Sequence, residues 1–192
     1  HLIVLAPASV QEAVDLTTMA FDIAEKYRMV VCLLLDGFIG QMMEPVELPE
    51  FKPVRTTPPA WAIGSPDSKG QVVLTSINID PPTQERFNVK MMTRWQEVEK
   101  NEVRYKGYFL DDAEYVVISY GTAGRISLSA VRASREQGLK IGLVRPISLS
   151  PFPAKVVDEL ADRVKGFLVV EMSNGQMLDD IISIVARRVP VE

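Results

Sequence analysis

The stretch "LIVLAPASVQEAVDLTTMAFDIAEKYRMVVCLLLD", residues 2–36, decides the fold. Leu2 to Leu5 form a short apolar run, and Ser9 with Glu12 three residues later gives the capping-box signature of a helix start. Ala13, Leu16, Thr17, Ala20 and Ala24 recur at helical spacing, with Val14 and Phe21 beside them. Val30 to Leu35 is a continuous β-branched and leucine run, which predicts a strand buried on both faces. Strand, helix and strand in that order make a βαβ unit, so the two strands should be parallel. Cys32 lies inside the second apolar run and reads as a small buried hydrophobe.

Downstream the character changes. Between 36 and 70 there are prolines at 45, 49, 53, 58, 59 and 66, which forbid a long helix and favour an extended path over a surface. Val72–Ile77 has the composition of a short edge strand or hairpin arm, with Pro81 and Pro82 ending it. From Gln84 to about Tyr105 a helix is expected. Its stripe of Phe87, Met91, Trp95 and Val98 reads equally as core or as a contact surface for another subunit.

Beyond Asp111 the pattern is regular: "EYVVISYG", "KIGLVRP" and "GFLVVEM" read as strands. "TAGRISLSAVRASREQG", "FPAKVVDELADRV" and "GQMLDDIISIVARR" read as helices. Gly138 closes the first, Pro153 sits in the first turn of the second, and Arg187 and Arg188 stand at the negative end of the third. The result is a three-strand, three-helix α/β unit.

Composition narrows the functions. The net charge of −4 supplies no basic stripe for a nucleic acid. The single cysteine excludes an intrachain disulfide framework and an all-cysteine iron–sulfur site, and fits a reducing cytosol. The one histidine is His1, which gives no support to histidine-based catalysis or zinc binding. No apolar run approaches the roughly 18 residues of a membrane span.

The chemistry-bearing candidates are few. Asp36-Gly37 and Asn174-Gly175 are glycine turns after strands, and "GTAG", 121–124, is a third. The helix after Gly121 could offer backbone amides to an anion, although glycine there also serves a plain tight turn. Glu171, at a strand end, reads as a general acid/base or, more often for such a residue, as a hydrogen-bonded structural group. Asp111-Asp112 and Asp179-Asp180 read as solvated charges rather than metal ligands, and Arg145-Pro146 is a polar strand end open to a partner. Residue chemistry alone shows no self-contained active site.

Taken together, the segments resemble one family. "LIVLAPASVQEAVDLTTMAFDIAEKYRMVV" followed by "DGFIGQMMEPVELPE" resembles the end of the pyrimidine-type domain in alpha-type subunits of 2-oxoacid:ferredoxin oxidoreductases. "YVVISYGTAGRISLSAV", "GLKIGLVRPISLSPFP" and "FLVVEMSNGQMLDDI" are similar to the transketolase C-terminal-like domain that follows it. "AWAIG" and "EVEKNEVRYK" are similar to the branched-chain, 3-methyl-2-oxobutanoate (2-ketoisovalerate) members.

The resemblance implies an α/β fold in three parts: the end of a pyrimidine-binding-type domain over 1–48, a linker with a helix over 49–110, and a transketolase C-terminal-like three-layer domain over 111–192. It implies oxidation of a 2-oxoacid with CoA to acyl-CoA, CO₂ and reduced ferredoxin, in the cytoplasm. Thiamine diphosphate and magnesium would sit mainly on a beta subunit. Iron–sulfur clusters would sit there or on a ferredoxin-like subunit, with no cofactor held by this chain alone. The family's aminopyrimidine-activating glutamate would lie upstream of His1, so no catalytic residue carries over.

For this chain the resemblance leaves candidate cleft or interface residues: Asp36, Gly37 and Gln41 in the first turn, and Asn174, Gly175 and Gln176 in the last. Neither nucleic acid nor membrane is expected as a partner, and exposed domain faces leave a homodimer open. A non-catalytic docking module, a 2-oxoglutarate- or pyruvate-specific member, and another thiamine enzyme such as a transketolase are the competing readings.

Overall fold

The computed structural model describes residues 2–51, 53, 57–67 and 75–192. The first βαβ unit forms as its pattern predicts: β1 (Ile3–Leu5), α1 (Val10–Tyr27) and β2 (Val31–Leu33), with β1 and β2 parallel. Ser9 caps α1 by accepting from the Glu12 amide. The buried stripe of α1 is Leu16, Ala20, Ile23 and Tyr27, rotated from the expected face, and Phe21 is 71% exposed. The doubly buried reading of 30–35 fails. β2 is an edge strand hydrogen-bonded to β1 alone among the described residues, so one flank stays open. Val30, just before the strand, is exposed, and Cys32 is only half-buried.

Helix α2 (Pro81–Glu102) starts earlier than its periodicity suggests. Pro81 and Pro82 begin the helix rather than stopping the preceding segment, because the first helical turn needs no proline N–H and Asp80 accepts from the Thr83 amide. The expected strand at 72–77 lies outside the described residues up to Leu74, and Thr75–Ile77 form no strand. The stripe of α2 becomes core toward its C-terminal end. Val98 is fully buried with Ile3, Leu5, Leu16, Ile23 and Tyr27, and Trp95 packs against that cluster. Glu102 pins the helix end: its buried carboxylate accepts from Lys26 at 3.0 Å, Tyr27 at 2.7 Å and Arg104 at 2.8 Å.

The second sheet is built from β3 (Tyr105–Tyr108), β4 (Tyr115–Ser119), β5 (Ile141–Pro146) and β7 (Gly166–Val170), in the order β3-β5-β4-β7. β4, β5 and β7 are parallel, and β3 pairs antiparallel with β5 at the edge. Helix α3 (Gly121–Glu136) covers one face through Val117, Val131 and Leu143. Helices α4 (Ala154–Ala161) and α5 (Gln176–Val185) cover the other through Val116, Ile118, Leu160, Phe167 and Ile181. Arg188 closes α5 as its dipole favours, donating to the carbonyls of Ile184 and Val185.

Strand β6 (Ser148–Ser150) belongs to neither expected pattern. One residue after β5, the chain leaves the second sheet and pairs antiparallel with β1, giving a first sheet of order β2-β1-β6. At the crossing the Arg104 amide donates to Ser148 Oγ at 2.8 Å, and the Ser148 amide donates back to the Arg104 carbonyl. No described helix is long and apolar enough to cross a membrane.

Candidate functional site

The polar residues gather where the first sheet's loops meet the start of α3. α1 begins just past the carboxyl end of β1, and the chain from Asp36 follows β2. Ligand crevices in open α/β sheets lie at such strand ends. Three carboxylates bridge the gap.

Asp36 is the first. Its Oδ1 accepts from the amides of Phe38 and Ile39 at 3.1 and 2.9 Å, shaping its own turn. The same carboxylate accepts from Thr122, through the amide at 2.9 Å and the hydroxyl at 2.8 Å. Tyr120, at the cap position of α3, makes no side-chain cap bond, so Asp36 supplies the cap from another part of the chain. The anion site expected after Gly121 therefore exists and is filled by the protein's own carboxylate. Gly121 has φ +59°, and a Cβ there would stand 3.0 Å from Asp36 Oδ2. A Cβ on Gly124 would stand 2.9 Å from the Ser119 carbonyl and 3.1 Å from Arg145. "GTAG" thus permits a close approach of two segments. Burial would raise the Asp36 pKa, but the amide of Ile39 and both donors of Thr122, with Phe38, outweigh it and hold the carboxyl below its ordinary range.

Glu12 is the second bridge. Oε2 accepts at 3.0 Å from the amide of Ala8, one residue before the Ser9 amide that a capping box would engage. Oε1 takes Lys106 at 2.7 Å and Arg145 at 2.6 Å, reaching strands β3 and β5. Arg145 is 3% exposed, so the partner-facing reading of Arg145-Pro146 is corrected: the guanidinium is held inside by Glu12. Its Nη1 has no hydrogen-bond partner among the described residues. Burial pushes Glu12 up, and the Lys106 bond, the Ala8 amide and Arg145 more than reverse it, leaving a lowered pKa.

Glu44 is the third. It accepts from Arg125 at 2.6 Å and from the Val10 amide at 3.1 Å, and the Arg125 bond is the main cause of its lowered pKa. Ala8, Glu12, Glu44, Lys106, Arg125 and Arg145 line a cavity of about 230 Å³ between the two sheets. Gln11 completes the attachment by clasping the backbone of Glu47, accepting from its amide at 2.7 Å and donating to its carbonyl at 3.0 Å.

The last turn is different. Glu171 accepts from the amides of Met177 and Leu178 at 3.1 Å each and from the Ser173 hydroxyl. It caps α5 from within the same loop, which is the structural role rather than the acid/base one. Gly175 occupies the cap position at φ +91°, and Gln176 Oε1 accepts from the Asn174 amide at 2.8 Å. Gly37 and Gln41 are exposed on the first turn. Asp36 and the Asn174–Gln176 turn lie at the same end of the second sheet, with no hydrogen bond between them among the described residues. Of the acidic pairs, Asp112 is held by Arg135 at 2.6 Å. Thr122 and Arg125, the partners that make this seam, were not singled out from sequence. Their only signal was a polar first turn on a helix without a capping residue.

Comparison with known proteins adds the following. The family model described as pyruvate flavodoxin/ferredoxin oxidoreductase, thiamine diphosphate-binding, matches residues 1–106. That of pyruvate:ferredoxin oxidoreductase core domain II matches residues 113–192. The ketoisovalerate oxidoreductase subunit VorB of Methanothermobacter thermautotrophicus is 44% identical over 178 residues, covering 93% of this chain and 51% of that protein. The 2-oxoglutarate synthase subunit KorA of Methanocaldococcus jannaschii is 32% identical over 204 residues, covering 94% of this chain and 55% of that protein. The chain thus spans about half the length of the curated relatives it matches.

Among solved structures, the 2-oxoglutarate:ferredoxin oxidoreductase of Magnetococcus marinus, bound to 2-oxoglutarate, coenzyme A and succinyl-CoA, superposes with a TM-score of 0.79. The identity is 19%, with 100% of this chain and 38% of that one covered, so the likeness is one of fold. An inactive split-gene transketolase tetramer superposes at 0.53 with 14% identity, covering 99% of this chain and 46% of that one.

Proposed function

We propose a function from membership: the chain belongs to the pyruvate flavodoxin/ferredoxin oxidoreductase family, whose thiamine diphosphate-binding model spans residues 1–106. It is part of a subunit of a 2-oxoacid:ferredoxin oxidoreductase complex that converts a branched-chain 2-oxoacid and CoA to acyl-CoA and CO₂, reducing ferredoxin. The carrying observation is the gap in identity between relatives. The ketoisovalerate subunits match at 44 and 45%, the 2-oxoglutarate subunits at 27 to 32%.

Thiamine diphosphate supplies the electron sink of such a decarboxylation. The donor set of this chain does not fit it. Asp36, Glu12, Glu44 and Glu171 are all engaged by helix amides or cations of the chain itself. Among the described residues no three His, Cys, Asp or Glu side chains group for a metal ion, and one cysteine cannot ligate a cluster. On this reading thiamine diphosphate and magnesium sit mainly on a thiamine-binding beta subunit, and the iron–sulfur clusters there or on a ferredoxin-like subunit, in the cytoplasm.

This chain supplies positioning. Residues 1–48 end the pyrimidine-type domain, 49–110 link it, and 111–192 form the transketolase C-terminal-like domain. The turn bearing Asp36, Gly37 and Gln41 borders the cleft, tied to the start of α3 through Thr122. Asn174, Gly175 and Gln176 mark an interdomain or subunit surface.

The test is viologen reduction by the full-length gene product, co-expressed anaerobically with its neighbouring genes. Reduction that requires both 3-methyl-2-oxobutanoate and CoA is expected. Preference for 2-oxoglutarate would keep the reaction and replace the substrate. Silence with every 2-oxoacid, from a complex holding thiamine diphosphate and intact clusters, would refute the assignment and favour a docking module.

A further inference from the structure

The segment from Asp36 to Phe51 has its polarity turned inside out. Surface loops ordinarily show polar groups to water and tuck apolar ones beneath. Here the side chains of Asp36 and Glu44 and the backbone of Glu47 are bonded inward, to Thr122, Arg125, Val10 and Gln11. Ile39 is buried, at 3% exposure, but from Met43 on the large apolar side chains point outward: Met43 is 97% exposed, Leu48 79% and Phe51 88%, with Phe38 at 63% before them. Every large hydrophobic described as exposed by three quarters or more lies between Met43 and Ile79, whereas none after Pro81 exceeds the 65% of Met172. Scattered exposed hydrophobics need no explanation, but a contiguous set held outward by its own anchored backbone does.

We propose that Met43–Phe51 is a docking strap that lies in an apolar groove of a partner polypeptide, with lysine and arginine along the groove's rim. Rested on the function proposed above, that partner is the cofactor-carrying subunit. Three observations select this occupant. Pro45 and Pro49 favour an extended backbone, and no helix or strand forms between them, so the strap is shaped for a groove before it meets one. The groove then gains the apolar side chains without paying to order a disordered segment. From Asp36 to Phe51 there is no lysine or arginine, while Glu47 and Glu50 are exposed, so the complementary rim is basic. The same charge pattern argues against a second copy of the chain, because a two-fold contact through the strap would set the acids of one copy beside those of the other.

The experiment uses the full-length gene product and the subunits encoded beside it. Met43→Ser, Leu48→Ser and Phe51→Ser are combined in one variant, and Ile126→Ser with Leu139→Ser, both exposed on the second unit, in a control. Affinity for the separately purified cofactor-carrying subunit is measured at several salt concentrations, with deuterium exchange on the wild-type complex. The strap variant should bind at least about a hundredfold more weakly, as truncated interface anchors do. Its unfolding midpoint should match the wild type, and the control should bind normally. Residues 43–51 should gain protection only in the complex, and Glu47→Lys with Glu50→Lys should weaken binding most at low salt.

Wild-type affinity in the strap variant, or a strap that exchanges freely in the complex, would overturn the proposal. So would protection that develops in the isolated chain as its own concentration rises, which would mark a second copy as the occupant. A complex that protects the strap yet holds no thiamine diphosphate would refute the proposed function and leave a docking strap. An active complex with an unprotected strap would refute the strap alone.

Discussion

Helices α3 and α5 begin in matching surroundings, at the carboxyl ends of the paired strands β4 and β7, and each receives a carboxylate in its first turn. The carboxylates come from different places. Glu171 stands six and seven residues before the amides it accepts from, so α5 is capped by its own loop. Asp36 stands 86 residues before Thr122 and also folds its own turn, so the cap of α3 is equally a joint between the two sheets. The same chemistry therefore makes a local turn in one region and an assembly contact in the other. The second kind couples the first turn of a helix to a loop at the proposed cleft.

That contrast can be broken by substitution in the full chain, followed by urea unfolding. The largest loss is expected at the neighbouring joint. Glu12→Ala leaves the buried Arg145 guanidinium without its carboxylate and should destabilise by about 3 kcal/mol. Asp36→Ala removes an acceptor from four donors and should lose about 2 kcal/mol. Its deuterium exchange should accelerate together at 38–42 and at the start of α3. Glu171→Ala should lose about 1 kcal/mol, with faster exchange confined to 173–178. If it disturbed the first sheet as well, or lost more than Asp36→Ala, the distinction between joint and local turn would fail.

A smaller effect sharpens the comparison by pH. Asp36 has a depressed folded-state pKa, so its contribution is full above the ordinary aspartate value of about 4. It is lost as pH falls through the lower folded value. The stability gap between wild type and Asp36→Asn should therefore hold at neutral pH and narrow below about pH 4. A gap that widened on acidification would contradict the bonding described. Smallest of all, Leu48→Ser should change stability by no more than about 0.5 kcal/mol, because its side chain is exposed.

What was legible in the sequence was local. The Ser9–Glu12 capping box, the strands Tyr115–Ser119 and Ile141–Pro146 and the helices after them follow from periodicity and end signals within a few residues. β3 and β6 were not legible. "YKGY" and "SLS" carry no apolar run, and they become strands because β5 and β1 offer unpaired edges. The same limit hid the partners of Asp36 and Glu12. A carboxylate after a strand announces a turn, but the donors it meets across the seam, Thr122 and Arg145, have no sequence neighbour to betray them. The apolar run at 30–35 misled for a related reason: composition reports what a strand is suited to pack against, not whether it lies at an edge.

The return of β6 to β1 carries a consequence for how the chain is made. Val4 pairs with Ser150, across about three quarters of the chain. During synthesis the first sheet must wait at the ribosome with one flank of β1 unpaired until β6, midway through the second unit, has emerged. Contacts so distant in sequence also slow folding, because the long loop between them must be closed before the pairing rewards it. The second sheet, whose parallel strands are near neighbours in sequence, can form sooner once its residues are free. The first sheet, begun first, thus stays incomplete until the second unit is partly made, and the open flank of β1 is the stretch that a chaperone would be needed to shield.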